Sequence, residues 1–427
     1  MQGSAEDPTS LAHTFAFHRV KGLHFARFAI VPESETKPLF GPKKYLPATL
    51  VLSLVFDGTK VDCVEQLIAV ARRELDIVYA SCEGYPGAQA DAAKVRDYFF
   101  AHDIVPFVFY CGAPGVTVSA VQSSFALREK LRARLDLLLK HGTAETPASL
   151  CRELRPRPPE IAARELPPLL PSLSEHALRL RVLAWIGVVA SPFLVIALIA
   201  YLAALRLGAA SDLAFVVAWV PLLIVAGLVL LVEAADARRS RGKASPSPCD
   251  FSRVRIVEDV AVQNALSHCA VVKAGVIRYL ALRFVFWAIG QRVRIVDCHT
   301  GALGGIASIH FARWVPIDRG QRLLFLSDYD GSWESYLAEF VDRASKGLTS
   351  IWSNTMGFPE TRLLVFRGAR DEDRFKRWTR DQQIETPIWY SAYPDRTIAN
   401  IQNDLRVAQL LSAEKPLPDE TSWLRLL

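Results

Sequence analysis

A short motif built around histidine and arginine occurs twice in this 427-residue sequence, once in each half. The first copy has His13-Thr14 followed by His24-Phe25-Ala26-Arg27-Phe28, and the second has His299-Thr300 followed, at the same spacing, by His310-Phe311-Ala312-Arg313-Trp314. An imidazole can transfer a proton or ligate a metal, and a guanidinium binds a carboxylate, a propionate or a developing oxyanion. The repetition therefore predicts either two related sites or a structural device present in both halves.

Other segments repeat in the same order along the chain. The matching pairs are Phe56-Asp57-Gly58-Thr59 and Tyr329-Asp330-Gly331-Ser332, then Gly84-Tyr85-Pro86 and Gly357-Phe358-Pro359, then Pro114, Thr117, Gln122 and Pro394, Thr397, Gln402. So many matches indicate an internal duplication. Asp57 and Asp330 each precede glycine and a hydroxyl residue at a predicted helix start, which favours helix capping and leaves acid or base catalysis as the alternative.

The elements that must position these residues follow from the hydrophobic periodicity. In the first half it predicts strands at 23–31, 50–56, 77–82 and 105–110, with helices at 59–75, at 88–102 and from 116 onward. In the second half, 362–368 supplies a strand that the first half lacks. Short strands interleaved with helices indicate an α+β fold, with helices on one face of a sheet. The uncovered face must pack against something, so we expect the two halves to pair face to face.

This duplicated pattern, with Asp-Gly at a strand-to-helix junction, resembles the dimeric α+β barrel (ferredoxin-like) superfamily, and within it the two-repeat dye-decolourising peroxidases. Those enzymes carry Gly-x-x-Asp-Gly with the aspartate on the distal side of haem, and the matching stretches here are 54–58 and 327–331. The resemblance implies haem and peroxidase-like oxidoreductase chemistry. It implies His310 or His299 as axial or acid/base group, Arg313 as charge stabiliser, Asp330 in proton transfer and Arg27 in cofactor binding.

Each of these roles has a structural alternative. A histidine at a strand start often bonds a backbone carbonyl, and each arginine is expected to pair with Asp57 or Asp330 of its own half. His268 falls on a predicted amphipathic helix and is a further candidate haem ligand. Aromatic residues near the predicted strands form either a core or an apolar cavity: Phe107, Phe109, Tyr110, Trp352, Trp389, Tyr390 and Tyr393.

Two uncharged apolar runs, 182–205 and 213–232, are each long enough to cross a bilayer. Only 206–212 connects them, so they are predicted to form an antiparallel transmembrane hairpin. The outer flanks are rich in arginine and lysine, which predicts integral insertion in the inner (cytoplasmic) membrane with both termini cytoplasmic. The segment 276–289 is too short and too charged to span, and is either a buried helix or a membrane-surface helix.

The predicted organisation has six parts: a first ferredoxin-like α+β repeat (1–141), a proline-rich linker (142–178), the hairpin region (179–235), a basic linker (236–250), a helical linker region (251–298) and a second repeat (299–427). We therefore expect two repeats forming a pseudo-dimeric α+β barrel with an inserted two-helix transmembrane hairpin.

Composition restricts the classes of function. A net charge of +6, scattered along the chain, gives no basis for a nucleic-acid groove. Seven widely spaced cysteines without CxxC indicate reduced thiols rather than a zinc site or a disulfide framework, and no metal ligand set is predicted. Two hypotheses follow. The chain is a membrane-anchored oxidoreductase acting on an apolar small molecule, or it is a non-catalytic scaffold or hydrophobic-ligand-binding module. Its partner is the lipid bilayer, and a homo-oligomer is compatible with either.

Overall fold

The computed structural model describes residues 14–36, 44–141, 146–154, 174–240, 259, 261–412 and 424, so His13 of the repeated motif lies outside the described residues. The principal helices are α1 (Lys60–Tyr79), α2 (Ala92–Ala101), α3 (Val118–His141), α4 (Pro147–Leu154), α5 (Glu175–Arg206), α6 (Ser211–Ser240), α7 (Val276–Arg292), α8 (Trp333–Trp352), α9 (Glu372–Asp381) and α10 (Ile398–Ser412). The strands are β1 (Leu23–Val31), β2 (Ser34–Thr36), β3 (Lys44–Leu46), β4 (Thr49–Phe56), β5 (Val108–Cys111), β6 (Gln263–Val271), β7 (Ile309–Ile317), β8 (Arg322–Asp330), β9 (Thr361–Arg362), β10 (Phe366–Arg367) and β11 (Ile388–Ser391).

The fold is α+β, with antiparallel sheets covered by helices. Equivalent helices of the two halves start in the same way. Gly58 and Gly331 have φ of 78° and 80°, in the left-handed region that glycine favours. Thr59 and Ser332 follow, and each side-chain oxygen accepts a hydrogen bond from a backbone amide in the first turn of α1 or α8.

The two halves exchange their last strands. One sheet has the order β11-β1-β4 and the other β5-β7-β8-β6, so β5 of the first half lies in the second half's sheet and β11 of the second half lies in the first half's sheet. Separating the halves would therefore break hydrogen bonds within both sheets. The two sheets are thus joined through exchanged strands as well as through facing surfaces.

The strand registers are the same in the two halves. In β1 with β11, Phe25 lies opposite Ser391, and in β7 with β5 the equivalent Phe311 lies opposite Cys111. Both long strand pairs also contain an irregularity at the same place, at His24 in β1 and at His310 in β7. Equal registers and equal irregularities relate the two halves by a pseudo-two-fold arrangement.

The core of the described residues has four parts, arranged around the two sheets. Residues such as Ala29, Val315 and Leu324 pack between the sheets. The opposite face of the first sheet is covered by α1 and α2, and that of the second by α7, α8 and α9. Helices α3 and α10 pack against each other at one end of the inter-sheet space, where Arg128 donates a 2.6 Å hydrogen bond to Asp404.

Helices α5 and α6 form an antiparallel pair, and each is long and apolar enough to cross a membrane. Their most apolar windows are 0% and 6% buried. A core helix of a soluble protein would bury such a surface, whereas these two expose it.

Three local predictions differ from the structure. The predicted strand at 77–82 is the end of α1 and a turn, because Leu75 and Tyr79 continue the buried helical stripe and a six-residue apolar run has no decisive period. The predicted strand at 362–368 is the small hairpin β9–β10, because positive φ at Leu363 and Leu364 folds the chain back. Within the predicted proline-rich linker, α4 packs on the α3 side of the core through Cys151 and Leu154.

These differences change the order of elements. Each repeat has two long strands, two helices, the exchanged strand and a last helix, whereas a ferredoxin-like unit has the order β-α-β-β-α-β. The second sheet also gains β6, which lies in the region 251–298 that we expected to be helical. All nine residues of β6 pair with β8, so the backbone of β8 is hydrogen-bonded on this side. Among the described residues, the equivalent strand of the first sheet, β4, has no such partner on that side.

Candidate functional site

Two histidine–aspartate pairs occupy equivalent places in the two repeats, each with a buried histidine and a partly buried aspartate. His24 Nε2 lies 2.9 Å from Asp57 Oδ1, and His310 Nε2 lies 2.6 Å from Asp330 Oδ1. Both histidines are almost fully buried. His310 and Asp330, two of the candidate site residues, are therefore neighbours, and the same geometry recurs in the first repeat.

The bulges explain where the histidine rings point. Simple alternation along β7 predicts that His310 shares a face with Trp314, away from Arg313. The register shift at His310 turns its ring toward the repeat interface instead, where it lies 5.6 Å from the ring of Phe25. The equivalent contact, between His24 and Phe311, measures 5.5 Å. Each histidine therefore packs on the phenylalanine of the opposite repeat.

The aspartates cap helices, although not the helices that the sequence suggested. Asp57 Oδ2 accepts a 2.9 Å hydrogen bond from the Val118 amide at the start of α3, and Asp330 Oδ2 accepts a 2.8 Å bond from the Ile398 amide at the start of α10. The prediction that they cap the directly following helices was wrong, because Thr59 and Ser332 do so.

The environment of Asp57 favours its ionised form. Burial acts to raise the pKa of Asp57, but the hydrogen bonds from His24 and from the Val118 amide outweigh burial and hold this pKa below its ordinary value. A carboxylate at a helix N-terminus is also favoured by the helix dipole.

The two pairs differ at the second histidine nitrogen. His24 Nδ1 lies 2.7 Å from the hydroxyl of Tyr393, a residue of the second repeat. The position equivalent to Tyr393 in the first repeat is Ala113, which has no hydroxyl to offer. His310 Nδ1 is buried and has no hydrogen-bond partner among the described residues. The pseudo-symmetry is therefore broken at one atom, and Tyr393 is the residue that breaks it.

Arg27 crosses the repeat interface and is almost completely buried. Its guanidinium donates to the carbonyl oxygens of Leu266 and Ser327 at 2.9 and 3.0 Å, and it forms an ion pair with Asp328. Trp389 also donates to the Asp328 carboxylate, at 2.9 Å. Because both terminal nitrogens of the guanidinium bond protein atoms of the second repeat, Arg27 connects the two sheets.

Arg313 makes the equivalent crossing in the opposite direction. Its guanidinium donates a 3.1 Å hydrogen bond to the Leu54 carbonyl and lies 5.2 Å from the centre of the Phe109 ring. Burial lowers the pKa of Arg313 to about 10, opposed by the charge of Asp328 and assisted by that of Arg27. The expected pairing of each arginine with Asp57 or Asp330 of its own half was wrong, because both side chains extend across the interface.

His268 lies on β6, not on a helix as predicted. Its ring is held between Trp352 and Trp378, with centroid distances of 4.7 and 4.8 Å. Burial lowers the pKa of His268 to about 3, so the imidazole is neutral. Both ring nitrogens are buried without a hydrogen-bond partner in the described part of the chain.

His299 lies away from the interface, in the helical turn Cys298–Thr300 that follows α7. The π-helical turn Val293–Asp297 just before it contacts α5, where Arg181 donates to the Ile295 carbonyl at 3.1 Å. The structure therefore does not bring His299 together with His310, Arg313 and Asp330.

These surroundings do not fit a haem group at the predicted ligands. His310 Nε2 is bonded to Asp330, while His310 Nδ1 and both nitrogens of His268 are sealed by protein atoms. Among the described residues, no cluster of three or more His, Cys, Asp or Glu side chains could hold a metal ion. A surface cleft of about 660 Å³ lies elsewhere and contains none of the predicted site residues; its lining is Glu360, Arg362, Leu363, Phe366, Arg367, Arg370, Asp371 and Arg374.

Sequence reasoning missed Asp328 and gave Tyr393 and Trp389 no specific role. A signal existed for two of them, since Asp328 and Tyr393 are polar where the first repeat has Val55 and Ala113. Departures from an internal repeat mark positions where the two halves differ in chemistry. No protein-family model, no curated protein and no solved structure significantly matches this chain.

Proposed function

We propose that this chain is a membrane-anchored, non-catalytic module, in which two strand-exchanged repeats form one body and the apolar hairpin sets its location. One observation carries the proposal: the two repeated arginines, which the sequence made candidates for charge stabilisation and cofactor binding, are engaged with protein across the repeat interface. Arg27 bonds Asp328 and two carbonyl oxygens, and Arg313 bonds a carbonyl oxygen of the opposite repeat. Hydrogen-bond donors used in this way stabilise the packing of the two repeats and are not available to bind a substrate.

The histidine–aspartate pairs have the same structural use. Each aspartate joins a strand-borne histidine to the first amide of the last helix of its repeat. This linkage holds α3 and α10 against the sheets in both repeats. A catalytic carboxylate would instead need an acceptor position open to substrate.

The membrane assignment rests on α5 and α6. Their length, apolarity and exposure support insertion as a hairpin. The basic flanks support an inner-membrane location with the body and both termini in the cytoplasm. The lipid bilayer is then the first partner, and hydrophobic-ligand binding and homo-oligomer formation are further roles that the proposal accommodates.

A finer proposal concerns the fold. The two repeats are the halves of a pseudo-dimeric barrel of the dimeric α+β kind. Equal registers, equal bulges and the exchange of β5 and β11 support this origin by duplication. The element order within each repeat departs from the ferredoxin-like order, so the relationship is one of overall arrangement.

A haem-dependent, peroxidase-like oxidoreductase is the competing proposal, and one observation favours it. His310 has an unpartnered, buried Nδ1 and a carboxylate on its other nitrogen, which is the polarised arrangement of a proton-transferring histidine. The ring centroid of Tyr393 is 6.2 Å from that of His310. Haem would supply the redox chemistry only if the interface opened beside this ring.

The absorption spectrum of the full chain, purified in detergent, tests the choice. The spectrum is recorded as isolated, after added haem and after dithionite, for the native chain and for His310→Ala and His299→Ala. The non-catalytic proposal expects no Soret band that survives removal of free haem. A Soret band that shifts on reduction and is lost in His310→Ala would establish the competing proposal.

A further inference from the structure

Helix α7 has two different faces, and only one of them is covered by protein. Arg278, Leu282 and Phe286 face the second sheet and its neighbours and are buried. The other side is apolar and open: Val276 is 75% exposed and Leu280 is 59% exposed. Ile277, Tyr279 and Trp287 extend the same surface. We define these five residues as the outer face of α7.

Helix α7 packs beside α5, and this position indicates which surroundings cover the outer face of α7. The two helices run in opposite directions, and their contacts begin where Arg181 meets the Ile295 carbonyl, next to α7. Trp185 donates a 2.9 Å hydrogen bond to the Ala288 carbonyl of α7. Further along α5, the rings of Phe193 and Phe284 lie 5.4 Å apart. The contact thus extends well into the apolar run of α5.

The depth of this contact can be estimated from the helix rise. Phe193 is eleven residues beyond the start of the apolar run at Val182, which is about 16 Å at about 1.5 Å per residue. A bilayer core is about 30 Å thick. The contact therefore extends through about half of this core, the thickness of the cytoplasmic leaflet. A helix that meets α5 over this length lies among the acyl chains of that leaflet, where an exposed valine or leucine is favoured and water is depleted.

The charges around α7 suit the same surface. The sequence contains no aspartate or glutamate between Asp259 and Asp297, but it contains Lys273, Arg283, Arg292 and Arg294 as well as the buried Arg278. The Arg283 guanidinium stacks 5.8 Å from the centre of the Tyr279 ring, and that of Arg292 lies 5.3 Å from the Trp185 ring. Arginines that lie along aromatic rings can reach lipid phosphates while their stems stay in apolar surroundings.

We propose that α7 is a monotopic membrane helix: its outer face is seated in the cytoplasmic leaflet beside α5, and the exposed Arg283 and Arg294 extend to the phosphates of anionic lipids. The second repeat is then fixed to the membrane surface through α7, in addition to being joined to the hairpin by the chain. This inference rests on the proposed membrane anchoring and adds a second, monotopic contact with the bilayer.

The test uses the full chain reconstituted into vesicles of phosphatidylethanolamine and phosphatidylglycerol. A benzoylphenylalanine photo-crosslinker is placed at Leu280 on the outer face of α7, at Leu198 in the hairpin, or at Ile77 on α1 of the first repeat. Leu280 and Ile77 are both exposed aliphatic residues on helices of the body, so they form a matched pair. Lipid attached after irradiation is measured by mass spectrometry.

The inference expects lipid adducts at Leu280 at a yield comparable to Leu198, and at least several-fold above Ile77. Adducts at Leu198 with a Leu280 yield no higher than that of Ile77 would overturn the α7 proposal and leave the membrane-anchored module intact. If neither Leu198 nor Leu280 gave adducts, both the anchoring and the α7 proposal would fail.

Discussion

His24 and Tyr393 meet across the repeat interface, with the Tyr393 hydroxyl 2.7 Å from His24 Nδ1. The first repeat supplies the imidazole and the second supplies the phenol. The equivalent nitrogen of His310 faces a repeat in which alanine replaces tyrosine, and it has no hydrogen-bond partner among the described residues. One hydroxyl therefore distinguishes two otherwise equivalent histidine–aspartate pairs.

Removing that hydroxyl should weaken the interface. In Tyr393→Phe, His24 Nδ1 loses its partner in a buried setting, so we expect a loss of about 1–2 kcal/mol in the free energy of unfolding. The measurement is denaturant unfolding of the detergent-purified chain. Tyr390→Phe is the control, because the half-buried Tyr390 hydroxyl has no hydrogen bond among the described contacts. Equal losses in the two variants would contradict the role assigned to Tyr393.

The two crossing arginines should differ in their contribution to stability. Arg27→Met leaves the Asp328 carboxylate buried without its cationic partner, and breaking such a pair costs about 3–5 kcal/mol. Arg313→Met removes one hydrogen bond to a carbonyl and should cost about 1–2 kcal/mol. Thermal unfolding monitored by tryptophan fluorescence would rank them, and a melting temperature for Arg313→Met at or below that of Arg27→Met would refute the ranking.

A buried acid near α7 should make stability fall as pH rises. Burial raises the pKa of Asp297 to about 6, despite Arg292, whose Nε lies 3.3 Å from Asp297 Oδ1. The folded pKa exceeds the unfolded value of about 4, so ionisation between about pH 4 and pH 6 weakens the folded state and the loss persists above pH 6.

Asp297→Asn should therefore stabilise the chain at pH 8 by up to about 3 kcal/mol and have little effect at pH 4. Melting temperatures of the native chain and this variant across that range provide the measurement. Asp57→Asn is the matched control and should have the opposite effect on stability. The pKa of Asp57 is lowered in the folded state, so its charge stabilises the fold at neutral pH and the variant should be less stable there. A destabilised Asp297→Asn variant at pH 8 would show that its charge, rather than its burial, dominates.

Strand exchange should depend on a glycine just after β5. The Gly112 amide donates 2.8 Å to the His310 carbonyl, and a Cβ at Gly112 would overlap the carbonyl oxygen of Ile309. Gly112→Ala should therefore cost about 1–3 kcal/mol by displacing β5 from β7. The equivalent position in the second repeat is Ala392, whose amide bonds the His24 carbonyl at 2.9 Å, so Ala392→Gly is the control and should cost less than about 1 kcal/mol. Unfolding midpoints in denaturant decide between them.

Several features could be predicted from the sequence because they depend on residues close together in the chain. The internal duplication is visible in the spacing of His24 and Arg27 against His310 and Arg313. The helix starts at Gly58 and Gly331 follow from turn and capping preferences, and the two apolar runs follow from composition. The pairing of His310 with Asp330 could also be derived from the sequence in principle, since both residues lie in one repeat on strands that follow each other in the chain.

Tertiary structure decided the rest, because those features depend on which distant segments meet. Alternating apolar residues specify that β5 and β11 are strands, but they do not specify the partner strand, so the exchange could not be predicted. The bulge at His310 reverses the face that alternation assigns to its ring. The direction of the Arg27 side chain could not be predicted either. A buried guanidinium is stable only where acceptors surround it, and here these are Asp328 and two carbonyl oxygens from other strands. The sequence alone showed the internal duplication, whereas the packing of the two repeats determined that Arg27 and Arg313 join them.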